Sequence, residues 1–112
     1  MVEKKILVDA DKISFPLVLR NKLNGDRFYP FGLNFSKKLK SFFIDEKIPS
    51  EDRNKIPILV DNSGKVVWVV GLRMDDRFKV TSHTKNVLEI AIFVVRGGSS
   101  KELPSKKASK MR

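Results

Sequence analysis

Residues 56–70, IPILVDNSGKVVWVV, decide the fold. Two apolar runs, IPILVD (56–61) and KVVWVV (65–70), flank the turn triplet NSG (62–64). Short runs rich in Val and Ile on either side of a Gly-containing turn read as a β-hairpin. Both runs are apolar at most positions instead of alternating. Protein therefore covers both faces of the hairpin, which places it at the centre of a sheet.

Upstream, KKILVD (4–9) is a strand that DADK ends, and FPLVLR (15–20) is a second strand with Pro16 near its start, where a missing ladder donor is tolerable. NGD (24–26) and YPFG (29–32) are turn signals. SKKLKSFFIDEK (36–47) is the clearest helix: Ser36 is a good N-cap, and Leu39, Phe42 and Phe43 fall at i, i+3, i+4 on one face. Ile48-Pro49 ends it. SEDRNK (50–55) reads as a short second helix capped by Ser50. Downstream, GLRMDDRFKV (71–80) is mixed, and NVLEIAIFVV (86–95) is a last strand. The sum is four to six strands and one main helix, an α+β domain with a mixed or antiparallel sheet. Phe28, Phe31, Phe35, Phe42 and Phe43 are expected in its core. The domain spans 1–95, and 96–112, rich in Gly, Ser, Lys and Pro, reads as a disordered basic tail.

A length of 112 residues suits one domain with a modest core. The chain has no cysteine, which excludes disulfides and thiolate zinc sites and fits a reducing compartment. No apolar run is long enough to span a bilayer, and MVEKKILVDADK is no signal peptide, so the expected location is the cytoplasm, with no membrane partner.

The formal net charge is +10. Residues 20–40 carry Arg20, Lys22, Arg27, Lys37, Lys38 and Lys40 against Asp26 alone, a net +5. From Arg96 onward six basic residues meet one Glu, again a net +5, and the remainder is neutral. A tail of solvated lysines needs no partner, whereas an ordered cluster between a turn and a helix start suits a phosphate polyanion. Arg73 and Arg77 extend that face.

Catalytic readings are weak. His83, the only histidine, lies in TSHTK and reads as a surface loop residue. Asp75-Asp76 and Asp45-Glu46 are adjacent pairs whose side chains diverge, so they read as solvated charges and not as an acid/base pair. FVVRGGSSKE (93–102) echoes the Ser-Gly-Gly-x-Asp-Ser loop of ATP pyrophosphatases, but Arg96 replaces the first Ser and the Asp is missing.

The ordered series LRNKLNGDRFYPFG, SKKLKSFFIDEKIP, IPILVD and WVVGLRMDDRFKVT resembles the C-terminal domain of bacterial tRNA(Ile)-lysidine synthase over roughly residues 15–92. Arg20-Asn21 and Gly25-Asp26-Arg27 match its Arg-Asn and Gly-Asp-Arg, 36–40 match its Ser-Lys-Lys-Leu-Lys, and 68–73 match its Trp-Val-x-Gly-x-Arg. Leu23-Asn24 stand where the family has Arg-Pro, and Phe35 stands where it has a small residue. The resemblance implies packed sheets, sandwich- or barrel-like, similar to a domain of phenylalanyl-tRNA synthetase. It implies a role in gripping the acceptor stem of an isoleucine tRNA, with Arg20, Lys22, Arg27, Lys37, Lys38, Lys40, Arg73 and Arg77 touching the RNA and Phe42, Phe43 and Trp68 as scaffold. In that family, lysine is joined to the wobble cytidine by an N-terminal domain that uses ATP and Mg. This domain is expected to hold no cofactor and to be inactive alone. The rival expectation is a protein-interaction or dimerisation module from a split or truncated synthase, its partner the N-terminal synthase domain or a second copy.

Overall fold

The computed structural model describes residues 2–94 and 110–111. Among the described residues nine strands form three sheets, and every pairing is antiparallel. β1 (Val2–Asp9) lies along β8 (Val87–Val94), which also pairs β9 (Lys110–Met111). A four-stranded sheet runs in the order β2 (Val18–Arg20), β5 (Ile58–Val60), β6 (Val66–Val69), β7 (Arg73–Met74). A two-stranded ribbon joins β3 (Arg27–Phe28) to β4 (Lys37–Lys38) and leads into helix α1 (Leu39–Asp45). Apart from Lys110–Met111, the tail expected at 96–112 lies outside the described residues, as does most of 93–102.

The 56–70 hairpin is central, as its apolar runs require. Ile58 pairs Val69, Leu59 pairs Trp68, and Val60 pairs Val66, leaving Val67 as an extra bulge residue. The bulge breaks the alternation of faces, so Val67 and Trp68 pack on the same side. It also frees the Val67 carbonyl to accept from the Asp75 N–H at 2.8 Å. Asp61 organises the turn: one carboxylate oxygen accepts from the Ser63 and Lys65 backbones and the Ser63 hydroxyl, and the other accepts from the Ser14 N–H.

The four-stranded sheet has a core on each face. Leu59, Val67 and Trp68 pack against Val8, Leu88, Ile90 and Ile92 of the β1–β8 pair. Ile58, Val60, Val66 and Val69 pack against Phe28 and the Leu39, Phe42 and Phe43 face of α1. Phe28 meets Phe42 edge to face, centroids 5.1 Å apart. Burying such rings dominates the energetics of a core this small.

Several expectations change. The helix begins at Leu39, not Ser36; Lys38 is its N-cap, with extended backbone and no side-chain cap. The cause is non-local: pairing with Arg27–Phe28 keeps 37–38 extended, and Ser36 Oγ accepts from Arg27 Nε instead of capping. At its other end the helix closes through Lys47, whose φ of 60° is left-handed, before Pro49 is reached. The second strand is only Val18–Arg20, because Pro16 has no N–H to offer a ladder. Residues 50–55 form a 3₁₀ helix with Pro49, not Ser50, at its N-cap. Phe31 and Phe35 are exposed, not core. Asp75 is fully buried, not solvated. His83 is exposed.

Candidate nucleic-acid interface

The turn before β3 is built around Asp26. Gly25 takes a φ of 87°, which suits glycine, and the Asp26 N–H donates to the Leu23 carbonyl. The Asp26 carboxylate accepts both ends of the Arg20 guanidinium, at 2.9 and 3.0 Å, and the Leu23 N–H at 2.8 Å. Burial pushes its pKa up, but the Arg20 and Leu23 hydrogen bonds and the Arg20 and Lys22 charges outweigh that and hold it below the ordinary value. Its carbonyl accepts from the Leu39 N–H at 2.9 Å, tying the turn to the start of α1.

This tie forms a cleft of about 210 Å³ lined by Lys22, Leu23, Asn24, Asp26, Lys38 and Lys40. Three ammonium groups line it, and its one carboxylate is already spent on Arg20. Arg27 pairs Lys38 across the ribbon, adding a fourth cation. Its Nε donates to Ser36 Oγ, and its two Nη groups donate to nothing among the described residues. Lys22, Arg27, Lys38 and Lys40 form no ion pair among the described residues. Four cations gathered around a single carboxylate that Arg20 already engages repel one another unless a further anion joins them.

The other four candidates are engaged internally. Arg20 is held by Asp26, and Lys37 pairs with Asp45 of α1. Arg73 reaches Glu46 at 3.4 Å and lies over the Phe42 ring. Arg77 donates Nε and Nη2 to Asp75, each at 3.0 Å, and lies 4.6 Å from the Tyr29 centroid. The hydrogen bond to buried Asp75 raises the Arg77 pKa above its ordinary value. Sequence reasoning has no signal for these pairings, nor for Asp26 as the anchor of the cleft. Among the described residues no three His, Cys, Asp or Glu side chains gather as a metal site, and no helix is long and apolar enough to cross a membrane.

Antiparallel sheets packed with one short helix define an α+β domain with a cationic cleft at one turn. The family model described as "TilS substrate C-terminal domain" matches residues 17–91, and the chain belongs to that family. It is 52% identical over 82 residues to a tRNA(Ile)-lysidine synthase of Caldanaerobacter subterraneus and 46% identical over 84 residues to that of Clostridium acetobutylicum. These matches cover 73% and 75% of this chain but only 17% and 18% of the relatives, so the chain spans less than a fifth of their length. A crystal structure of a TilS C-terminal domain superposes with a TM-score of 0.66 at 32% identity, covering 79% of this chain and 68% of that one. A fragment of the phenylalanyl-tRNA synthetase β-subunit from Pyrococcus horikoshii shares the fold, with a TM-score of 0.66 at 22% identity, covering 78% of this chain and 27% of that one. All three residues that depart from the family pattern are on the surface: Leu23 is 56% and Phe35 53% exposed, and Asn24 is exposed as well. Leu23 and Asn24 line the cleft, and none of the three belongs to the core.

Proposed function

We propose that this domain serves a tRNA(Ile)-lysidine synthase by holding the acceptor stem of the isoleucine tRNA, with Lys22, Arg27, Lys38 and Lys40 on its phosphates. Arg20 shapes the turn that carries them. Lys37, Arg73 and Arg77 border the face and contribute through their positive field. The observation that carries the reading is the unpaired cluster itself: three lysines on one cleft and Arg27 opposite Lys38. A duplex of A-form RNA is recognised by shape and backbone, which asks for spaced cations on a firm scaffold and no base-reading side chains. Such interactions position a tRNA more than they specify it. The ligation of lysine at the expense of ATP, with Mg, belongs in this reading to another domain of the synthase, in the cytoplasm.

The test is tRNA binding across a salt series, before and after Lys22, Lys38 and Lys40 are changed together to Ala. Every phosphate that a cation no longer neutralises takes about 0.7–0.9 from the slope of log K against log salt, so the triple variant should be shallower by roughly two to three. An unchanged slope and affinity would sink the assignment. Truncation before Gly97 is the control for binding by the basic C-terminal residues.

A further inference from the structure

Phe31 stands 48% exposed on a backbone that is firmly tied. The Tyr29 N–H donates to Asp75 Oδ2 at 2.9 Å and the Asp76 N–H to the Tyr29 carbonyl at 2.6 Å. The Phe31 N–H donates to the Met74 carbonyl at 2.9 Å and the Gly32 N–H to Asp76 Oδ1 at 3.1 Å. An aromatic ring presented to solvent from so fixed a backbone is pre-organised for binding, since little further freedom is given up when a ligand arrives.

The ring borders a depression of about 350 Å³ whose lining includes Lys4, Trp68, Gly71, Arg73 and Met74, and no acidic residue. Trp68 and Met74 provide an apolar floor, and Lys4 and Arg73 provide cations. Lys4 forms no ion pair among the described residues. Gly71 fixes where its stem runs. With φ at 84°, a Cβ on Gly71 would sit 2.9 Å from Lys4 Cδ and Cε, so the lysine crosses the space that a side chain would fill. A presented π-face, an apolar floor, a lysine with no ion pair and an arginine whose Glu46 partner lies outside the lining match an unpaired nucleobase with its flanking phosphates. The bases of a duplex are stacked inside it and cannot reach such a ring. We propose that this depression takes one unpaired nucleotide of a single-stranded RNA segment, its base stacked on Phe31 and its phosphates on Lys4 and Arg73. The site shares no lining residue with the Lys22–Lys38–Lys40 cleft and does not depend on that cleft's role.

Trp68 is the only tryptophan in the chain and lines the depression, so its fluorescence reports on the site. The 112-residue chain is titrated at low salt with a short single-stranded oligoadenylate. The expected result is saturable quenching, weakened about tenfold by Phe31→Ala and restored by Phe31→Tyr. Lys4→Gln should make its salt dependence shallower, and Lys22, Lys38 and Lys40 changed together to Ala should leave it intact, even where that variant has lost tRNA affinity. Equal quenching by Phe31→Ala overturns the proposal, as does loss of quenching in the triple-lysine variant. Equal quenching by a blunt RNA duplex overturns it too, and so does a Phe31-dependent response to oligoglutamate, which would mark an acidic-peptide site. Far-UV circular dichroism of each variant separates a binding defect from a folding defect, and Phe31→Leu, which keeps apolar bulk and removes the π-face, retains the test if Phe31→Ala misfolds.

Discussion

Arg27 stands directly across from Lys38 in the β3–β4 ribbon. Like charges at opposed positions of an antiparallel pair destabilise it, by an amount of the same order as the 0.2–1 kcal/mol that opposite charges contribute. The domain keeps this repulsion in a ribbon with only two paired positions. Changing Lys38 to Glu should therefore raise the stability of the isolated domain by roughly 0.5 kcal/mol, measured by urea denaturation. The same change should weaken tRNA binding. Opposite signs in the two measurements would separate a binding role from a scaffolding one; a decrease in both would mean that Lys38 supports the fold.

The buried Asp75 makes a second prediction. Its carboxylate accepts from the Tyr29 and Arg77 backbones and from two nitrogens of the Arg77 guanidinium. Asp75→Ala strips all four donors of their acceptor and should cost roughly 3 kcal/mol. Arg77→Ala leaves the carboxylate buried with backbone partners alone, so it too should destabilise. Because the two act as one unit, the double variant should fall short of the sum of the singles by about 1 kcal/mol or more in a denaturant cycle. Simple additivity would mean that the pair does not cooperate.

The reach and the limits of the sequence are plain in these elements. The 56–70 hairpin is legible because both of its signals, apolar runs and a Gly turn, are local. The start of α1 is not. Ser36 has the chemistry of a cap, but Arg27, nine residues away, takes its hydroxyl, and the ribbon holds 37–38 extended. The cationic cluster of 20–40 is visible as charge, and its division is not. Asp45 lies eight residues from Lys37 and Glu46 twenty-seven from Arg73, so only the fold decides which cations are neutralised and which remain for a partner. Phe31 and Phe35 read as core because they are aromatic. The exposure of Phe31 follows from the loop's hydrogen bonds to 74–76, which no pattern of hydropathy encodes.

Acid should unfold the domain through its turn aspartates. At Asp61 burial pushes the pKa up, yet the Ser63, Ser14 and Lys65 hydrogen bonds hold it below the ordinary 3.8, and Asp26 is lowered as well. As pH falls, the unfolded chain takes up these protons first. The stability they contribute is whole above the unfolded value and is lost as pH drops through the lower folded values. Denaturation midpoints should hold steady near neutrality, begin to decline below about pH 5 and go on declining as pH falls past the ordinary 3.8. In Asp61→Asn that decline should be shallower from a lower starting stability. An identical acid limb in the variant would remove Asp61 from the account.

The end of α1 offers the opposite kind of prediction, a substitution that stabilises. The Ile48 N–H donates to the Phe43 carbonyl and the Lys47 N–H to the Ile44 carbonyl, each at 2.9 Å, the paired bonds of a Schellman closure. That closure needs a left-handed residue, and Lys47 supplies it at a φ of 60° although glycine does so without steric cost. The left-handed conformation costs a side-chain-bearing residue roughly 1–2 kcal/mol, against about 0.3 kcal/mol gained from a cation near a helix C-terminus. Lys47 is exposed and has no ion pair among the described residues, so little else goes with its side chain. Lys47→Gly should raise stability by about 0.5–1 kcal/mol after the added freedom of the unfolded chain is counted. Lys47→Val, β-branched and ill-suited to positive φ, should lower it. Urea denaturation with unchanged m-values is the measurement, and a destabilised Lys47→Gly would show that the lysine side chain contributes more at this position than its backbone strain costs.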